Sequence, residues 1–600
     1  MKQHRNLYRI LCLLLCAVLL VGCGGRLVEE DSTQKPPKAT ATPGNQGGQN
    51  DSQAEDALDA LAMELFEGVL TEDSLSFWFY IDDPSVFDIS APSPATLGTV
   101  KYTTDTAEDA QEVADYRTRL EAIDRGELSV EGQRTWDLID YQLTTAQNWI
   151  KYPNHYSTLS TLSNDLATLP LSLGCMPISC EAAARDAVAL TRDVQRYLQE
   201  VFEYEKARIE NGFKVRKETV QDVADSCQAI VDDKANDFLL PMFTQQVDAL
   251  NLAADVRQTL LDDYAAALDE ALYPAYAKLA TDLESLLPRC DGTGSWANDL
   301  PDGEAFYEFY LQNQSASDWT NQGAIDALQT KLDADLQRYF TLLNRNPDLA
   351  EAELVWNKGT AQDNLEACKQ AIADIYPELP DHESILRDVP AALEDSFAPA
   401  AYFSCPIDNP KRNVVVVNQK TGAGDELLLT MAHESYPGHL YHRVYYMSLE
   451  QSLFRKLVSF TGVHEGWAQM AEEFMADAYA PADQAGAAEY HTIESRLDIW
   501  VYMIADIGVN GLGWSDEDLA AWLEPYYGAG AGEYAEGLSD WVRGDPGYWA
   551  KYSLGLLSML QLRDDYNAAN PRGEFVTAFL DCGSGPFTLI RKWMKLSRDA

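Results

Sequence analysis

Residues 412–439 read RNVVVVNQKTGAGDELLLTMAHESYPGH. The run from Val414 to Val417 is β-branched throughout, and such side chains favour extended backbone, so Arg412 to Asn418 is expected as a strand. Gly422 and Gly424 turn the chain, Asp425 is placed to cap a helix, and Glu426 to Tyr436 follows as that helix. Two readings of the strand stay open: a free edge, or a strand closed by a neighbour.

The helix ends in His433-Glu434-Ser435-Tyr436-Pro437-Gly438-His439, which sets two histidines six residues apart in a chain that has 8. At about 100° per residue, an unbroken helix would point them roughly 240° apart. Pro437 removes an intrahelical hydrogen bond and Gly438 permits unusual backbone angles, so a break is expected to swing His439 back toward His433. The alternative is a helix that ends at Tyr436 and leaves His439 in a loop. If the two rings converge, they suit zinc. Neutral imidazoles with a carboxylate hold the ion and leave one position open, and a glutamate that is not a ligand takes a proton from the attacking water. Glu434 is placed for that second task. Downstream, His464-Glu465-Gly466-Trp467-Ala468 brings another histidine and another carboxylate. Adjacent helical residues point about 100° apart, so one of His464 and Glu465 is expected to face the metal.

HESYPGH followed by HEGWAQMAEE resembles the bacterial domain-of-unknown-function 885 family, whose members are often lipoproteins and which is similar to the gluzincin metallopeptidases. Further segments carry the likeness: Ser74 to Phe87, Leu300-Pro301-Asp302-Gly303-Glu304 with Tyr307, Asp506 to Asn510 with Gly513-Trp514, and Pro546-Gly547 with Tyr552, Gly555 and Arg563. It spans roughly residues 55 to 600. The resemblance implies a mostly α, large helical gluzincin-like fold with a deep cleft, and a small β element before the metal-binding helix. It implies one zinc ion per chain on His433, His439 and Glu465, with Glu434 as general base. Tyr552, matching the family's C-terminal tyrosine, is the expected donor to the oxyanion. Where this chain has Asn510, the family often has His, which puts a secondary contact in question.

Other side chains near the motif have weaker expectations. Glu472 lies seven positions after Glu465, two helical turns along one face, where it could hold the second nitrogen of a ligand histidine. Arg496 and Arg563 have the planar fork that binds a carboxylate, although each could equally be a structural ion pair. His442 either lines the site or is a surface histidine. The aromatic stretch from Tyr526 to Trp549 reads as core packing first and a cleft wall second.

The N-terminus is basic at Lys2, Arg5 and Arg9, then apolar from Ile10 to Val21, and ends Leu-Val-Gly-Cys. This reads as a secretory signal over residues 1–22, too short to span a bilayer, with Cys23 as the lipidated first residue. Residues 23–54 are polar and rich in Gly, Pro, Ser and Gln, and are expected as a flexible tether. The catalytic region would then be 55–600, with a possible helical lobe at 55–290 and a metal-site lobe at 300–600. Helical periodicity is clear at 107–124, 182–210, 216–233, 254–287 and 322–344.

The net charge of -50 disfavours nucleic acid as a partner. Of ten cysteines, Cys175 and Cys180 are close enough in sequence for a local disulfide. The expected activity is hydrolysis of oligopeptides on the outer face of a bacterial membrane, the partners being the peptide and the bilayer that takes Cys23. A zinc amidase of cell-wall peptides, or a lipid-anchored peptide- or solute-binding protein without turnover, are the alternatives.

Overall fold

Long amphipathic stretches become helices close to where their periodicity places them. The computed structural model describes residues 49–100, 106–389, 394, 397–422, 424–480 and 486–596. The expected signal, Cys23 and most of the expected tether lie outside the described residues. The first helix, α1 (Gln49–Leu70), begins inside the segment read as tether. The correction has a plain cause. Ala54, Leu58, Leu61, Ala62 and Leu65 recur at helical spacing and are buried, and a helix that buries Ala54 needs a polar lead-in turn that composition alone cannot show.

Helices α2 (Val130–Lys151), α3 (Glu181–Glu210) and α4 (Lys217–Asp232) follow. The stretch expected as one helix over 254–287 is α-helical to Ala267, widens into a π turn over Leu268–Leu272, and resumes as α5 (Tyr273–Glu284). Pro274 has no N–H to give, so the hydrogen-bond ladder shifts there. Next come α6 (Gly303–Ser315), α7 (Asn321–Arg345) and α8 (Ala361–Ile372), the last opened by a capping box between Thr360 and Asp363.

The Asp-, Gly- and Asn-rich segment at 289–303 does not divide the molecule into separate cores. Phe306 and Tyr310, just after it, pack edge-on or tilted against Trp149 and Tyr156 from before it. The main apolar core draws on residues from Leu58 to Ile590. A second cluster, with Tyr307, Leu328, Trp500, Ile504 and Leu557, lies wholly in the later half.

One small sheet interrupts the helices: β1 (Glu383–Asp388), β2 (Ala400–Phe403) and β3 (Arg412–Val417), in the order β1-β3-β2. β1 runs parallel to β3, and β2 antiparallel. The valine strand is therefore the central one, closed on both sides, and β1 and β2 are the outer strands. Val415, Val416 and Val417 are at most 2% exposed, and an unbroken apolar run suits a strand covered on both faces. Among the described residues the fold is thus mostly α with a three-stranded sheet.

After β3 come α9 (Leu427–Glu434), α10 (His439–Ser448), α11 (Thr461–Ala478), α12 (Ala487–Asp506), α13 (Ala550–Ala569) and α14 (Phe575–Leu580). Asp425 does not cap α9; its carbonyl instead accepts from Trp356 N and Asn357 N, each at 2.9 Å. Cys175 and Cys180 form no disulfide. No described helix is long and apolar enough to cross a membrane.

Candidate metal centre

Helix α9 stops at Glu434, and Ser435 leaves it with φ −123° and ψ −90°. The chain then folds back over the last turn of α9: Gly438 N donates to Ala432 O at 2.9 Å, and Tyr441 N to Ser435 O at 3.0 Å. A side chain at Gly438 has no room, since a Cβ would lie 1.9 Å from His433 O. Trp467 Nε1 donates to Pro437 O at 2.7 Å and pins the loop to α11. The expected break is present, and His433 Nε2 and His439 Nε2 end 3.1 Å apart.

Glu465, on α11, closes the group. Its Oε2 lies 3.4 Å from His433 Nε2 and 3.7 Å from His439 Nε2. A tetrahedral zinc with ligands at about 2.0–2.2 Å has ligand–ligand edges of roughly 3.3–3.6 Å. The triangle of donors observed is close to that size. Glu465 Oε2 is buried and has no hydrogen-bond donor of its own, which leaves its lone pairs for a cation. His464 turns the other way: its Nδ1 meets His442 Nδ1 at 3.2 Å, one ring donating and the other accepting. Burial, then nearby positive groups, hold both of these rings neutral, His464 being lowered to about 3.

Glu472 Oε1 lies 2.6 Å from His433 Nδ1. A carboxylate only accepts, so Nδ1 carries the proton and Nε2 presents its lone pair to the other two donors. Burial opposes positive charge at His433, but the neighbouring carboxylates of Glu465 and Glu472 outweigh it and raise its pKa well above the usual histidine range, so a cation at Nε2, proton or metal ion, is favoured. Burial opposes charge at Glu465 too, yet His433 and His439 beside it hold its carboxyl well below the usual carboxylate range. Replacing Glu472 by alanine is expected to weaken zinc binding about 10–100-fold, measured by competition with a chelator of known affinity; unchanged affinity would make Glu472 a bystander.

Glu434 is 6% exposed. Its Oε2 accepts from Tyr402 N of the outer strand β2 at 2.8 Å, a contact for which the sequence held no signal. Burial raises its pKa, against the pull of His433 and His439. Tyr552 faces the same group of charges. Burial first, then the charge of Glu465 and, further down, that of Glu434, push its phenol well above the usual tyrosine range. It feels their charge because α11 and α13 touch through glycines: a Cβ on Gly466 would lie 2.4 Å from Gly555 O, and one on Gly555 would lie 2.4 Å from Gly462 O.

Three candidates are not brought to the centre. Arg496 makes a two-pronged ion pair with Glu473, both bonds 2.6 Å, so its fork is already filled. Arg563 sits beside Asp564 at 3.2 Å and lines a surface cleft with Phe474 and Phe575. His442 is neither a surface histidine nor a ligand. It is buried behind α11, near Trp467 and Phe579. The aromatic stretch packs on the later-half core, with Trp541, Trp549 and Tyr502 in mutual contact.

A family model described as "Bacterial protein of unknown function (DUF885)" matches residues 97–594. The chain belongs to the DUF885 family. No curated protein matches it. Two solved structures share the fold. One, from Colwellia psychrerythraea and described as a "putative lipoprotein", has 14% identity and a TM-score of 0.73, and the match covers 91% of this chain and 98% of that one. The other, a "putative lipoprotein of unknown function" from Shewanella oneidensis, has 16% identity and a TM-score of 0.56 over 91% and 99%.

The separate segments that resemble DUF885 meet in space. Asp506, fully buried at the end of α12, accepts from Tyr307 OH at 2.9 Å, Asn510 Nδ2 at 2.8 Å and Gly547 N at 2.8 Å. Asn510, in the π turn Ile507–Gly511, also donates to Val542 O at 2.8 Å. The position where the family often has His therefore belongs, in this chain, to a buried scaffold around one carboxylate. The Glu-Gly-Trp signature also acquires physical content: a donor atom at Glu465, a close helix contact at Gly466 and a loop clamp at Trp467.

Proposed function

We propose that this DUF885 protein is a zinc-dependent peptidase, anchored by lipid at Cys23 to the outer face of a bacterial membrane. The observation that carries the reading is the convergence of His433, His439 and Glu465 on one point, with the buried carboxylate of Glu434 adjoining two of them in sequence. The structural relatives named as lipoproteins, and the Leu-Val-Gly-Cys ending of the apolar leader, support the anchor.

A bound zinc would polarise the scissile carbonyl and lower the pKa of water at the centre. The rest falls to the chain. His433, His439 and Glu465 hold the ion, and Glu472 fixes the tautomer of His433. Glu434 takes the proton of the attacking water and passes it to the leaving amine. Tyr402 N–H keeps the Glu434 carboxylate oriented while it does so. Tyr552, kept protonated by its surroundings, donates to the oxygen on which negative charge develops. A substrate backbone laid along the outer strand β2 would pass beside Glu434, the β-addition mode of peptide recognition.

The test is elemental analysis of the chain purified without chelator, followed by a peptide library that includes cell-wall peptides. About one zinc per chain is expected, and its loss in His433→Ala. Stoichiometric zinc in His433→Ala would remove the ligand set, and a zinc-loaded protein that binds library peptides without cleaving them would replace the peptidase with a binding protein.

A further inference from the structure

Beside Tyr552 the molecule holds a cation that the metal centre does not use. Lys551 is the second residue of α13 and is half-buried. Its Nζ lies 4.6 Å from the centre of the Tyr548 ring and 5.1 Å from that of the Tyr552 ring. Such contacts hold an ammonium in place without neutralising it. Lys551 makes no hydrogen bond or ion pair among the described residues. Asp545 feels its charge, but that carboxylate is buried and accepts from Ser163 N at 2.8 Å. Two other cations of this region are turned elsewhere. Arg496 is filled by Glu473, and Arg443 is buried with its Nη1 donating to Lys456 O at 3.1 Å.

The surroundings of Lys551 suit an organic anion. It stands in the first turn of a 20-residue helix, where the helix dipole favours negative charge. An aromatic wall adjoins it: the Trp549 ring lies 5.6 Å from that of Tyr552 and 5.1 Å from that of Trp541, all three half-buried. An ammonium beside such a wall offers donors to a carboxylate and an apolar surface to the side chain the carboxylate carries. The distance to the reacting bond is also bounded. A phenol oxygen lies within one residue's length, about 3.5 Å, of its own ring centre, so the ammonium stands no more than about 9 Å from the Tyr552 hydroxyl. Less a hydrogen bond at each end, that span takes one or two residues.

We propose that Lys551 receives the C-terminal carboxylate of the substrate and makes this protein a carboxypeptidase that releases the last one or two residues of an oligopeptide. Water adds across the peptide bond that breaks: its oxygen completes the new carboxylate, and its proton passes through Glu434 to the leaving amine. The cleavage rests on the peptidase reading; the contact between Lys551 and a carboxylate does not.

The test gives the zinc-loaded protein a peptide library in which every sequence is present as free acid and as C-terminal amide, with products mapped by mass spectrometry. Release of one or two residues from the acids is expected, with kcat/KM for each amide lower by about tenfold or more, as loss of a charged hydrogen bond entails. In Lys551→Gln, with native circular dichroism and zinc content, that ratio should fall to near one, and Lys551→Arg should restore it. Lys551→Met serves if Lys551→Gln does not fold. Internal cleavage indifferent to the terminus, or a ratio that Lys551→Gln keeps, would overturn the proposal. If no peptide is cleaved, the peptidase reading fails, and calorimetry with N-acetyl-phenylalanine and its amide decides the contact. Tighter binding of the acid that Lys551→Gln abolishes upholds Lys551 as a carboxylate site. Equal binding of the two, no binding, or a preference that Lys551→Gln keeps overturns it.

Discussion

Glu434→Gln is expected to lower kcat by about 10²–10⁴-fold, the usual contribution of a positioned general base, with the zinc content unchanged. The replacement has the same size and keeps an oxygen that can accept from Tyr402 N, so the turn between α9 and α10 has no reason to move. Only the capacity to accept a proton is lost. Glu434 is also not one of the three converging donors, so the ion should stay. The measurement is single-turnover hydrolysis of a cleaved library peptide, alongside elemental analysis of the same sample. If kcat stays within about tenfold of the native value, another group is the base; if zinc leaves with the carboxylate, Glu434 is a ligand.

Asp506→Ala should cost the most stability. It strands Tyr307 OH, one of the two Nδ2 hydrogens of Asn510 and Gly547 N–H in a buried site, and each unsatisfied group costs about 1–3 kcal/mol. The loss should depend on pH. Burial above all raises Asp506 from 3.8 to about 7. A carboxyl whose folded pKa lies above its unfolded value binds more protons in the folded state, so the stability it contributes is complete below about 4 and drains away as pH rises toward 7. The drain is on the order of 4 kcal/mol from the shift alone. The alanine variant has no such proton to lose. Denaturant unfolding should therefore show a large deficit of about 3 kcal/mol or more at pH 5, shrinking toward pH 8. A deficit equal at both pH values would mean that Asp506 is ionised throughout, held so by its three donors.

Much of the centre could be read from residues 433–465 because the constraint there is local. Pro437 and Gly438 within the interval announce a break, and the break carries His439 to His433. The choice between His464 and Glu465 was not local, since either could face inward on a lone helix. The matter is settled by His442, which takes up His464 from behind. Arg496 could not be assigned for a similar reason: its partner Glu473 lies 23 residues away on another helix, and no periodicity links them. The valine run showed a strand but not its rank in the sheet, because strand order depends on β1 and β2, which are short and weakly patterned. The convergence on Asp506 brings in Tyr307 from 199 residues away, together with Asn510 and Gly547, visible only once the chain is folded.

The glycine contact between α11 and α13 makes the two helices a gauge block. Glu465 rides on one and Tyr552 on the other, and no side chain at Gly466 or Gly555 separates their backbones. A methyl group inserted at either position would act as a shim. It would leave the three converging donors nearly in register on their own side of the block, yet set the phenol back from its target. On the proposed reading, loading and turnover would answer to separate features of the molecule, the first to the loop at Pro437–Gly438 and the second to the thickness of that seam.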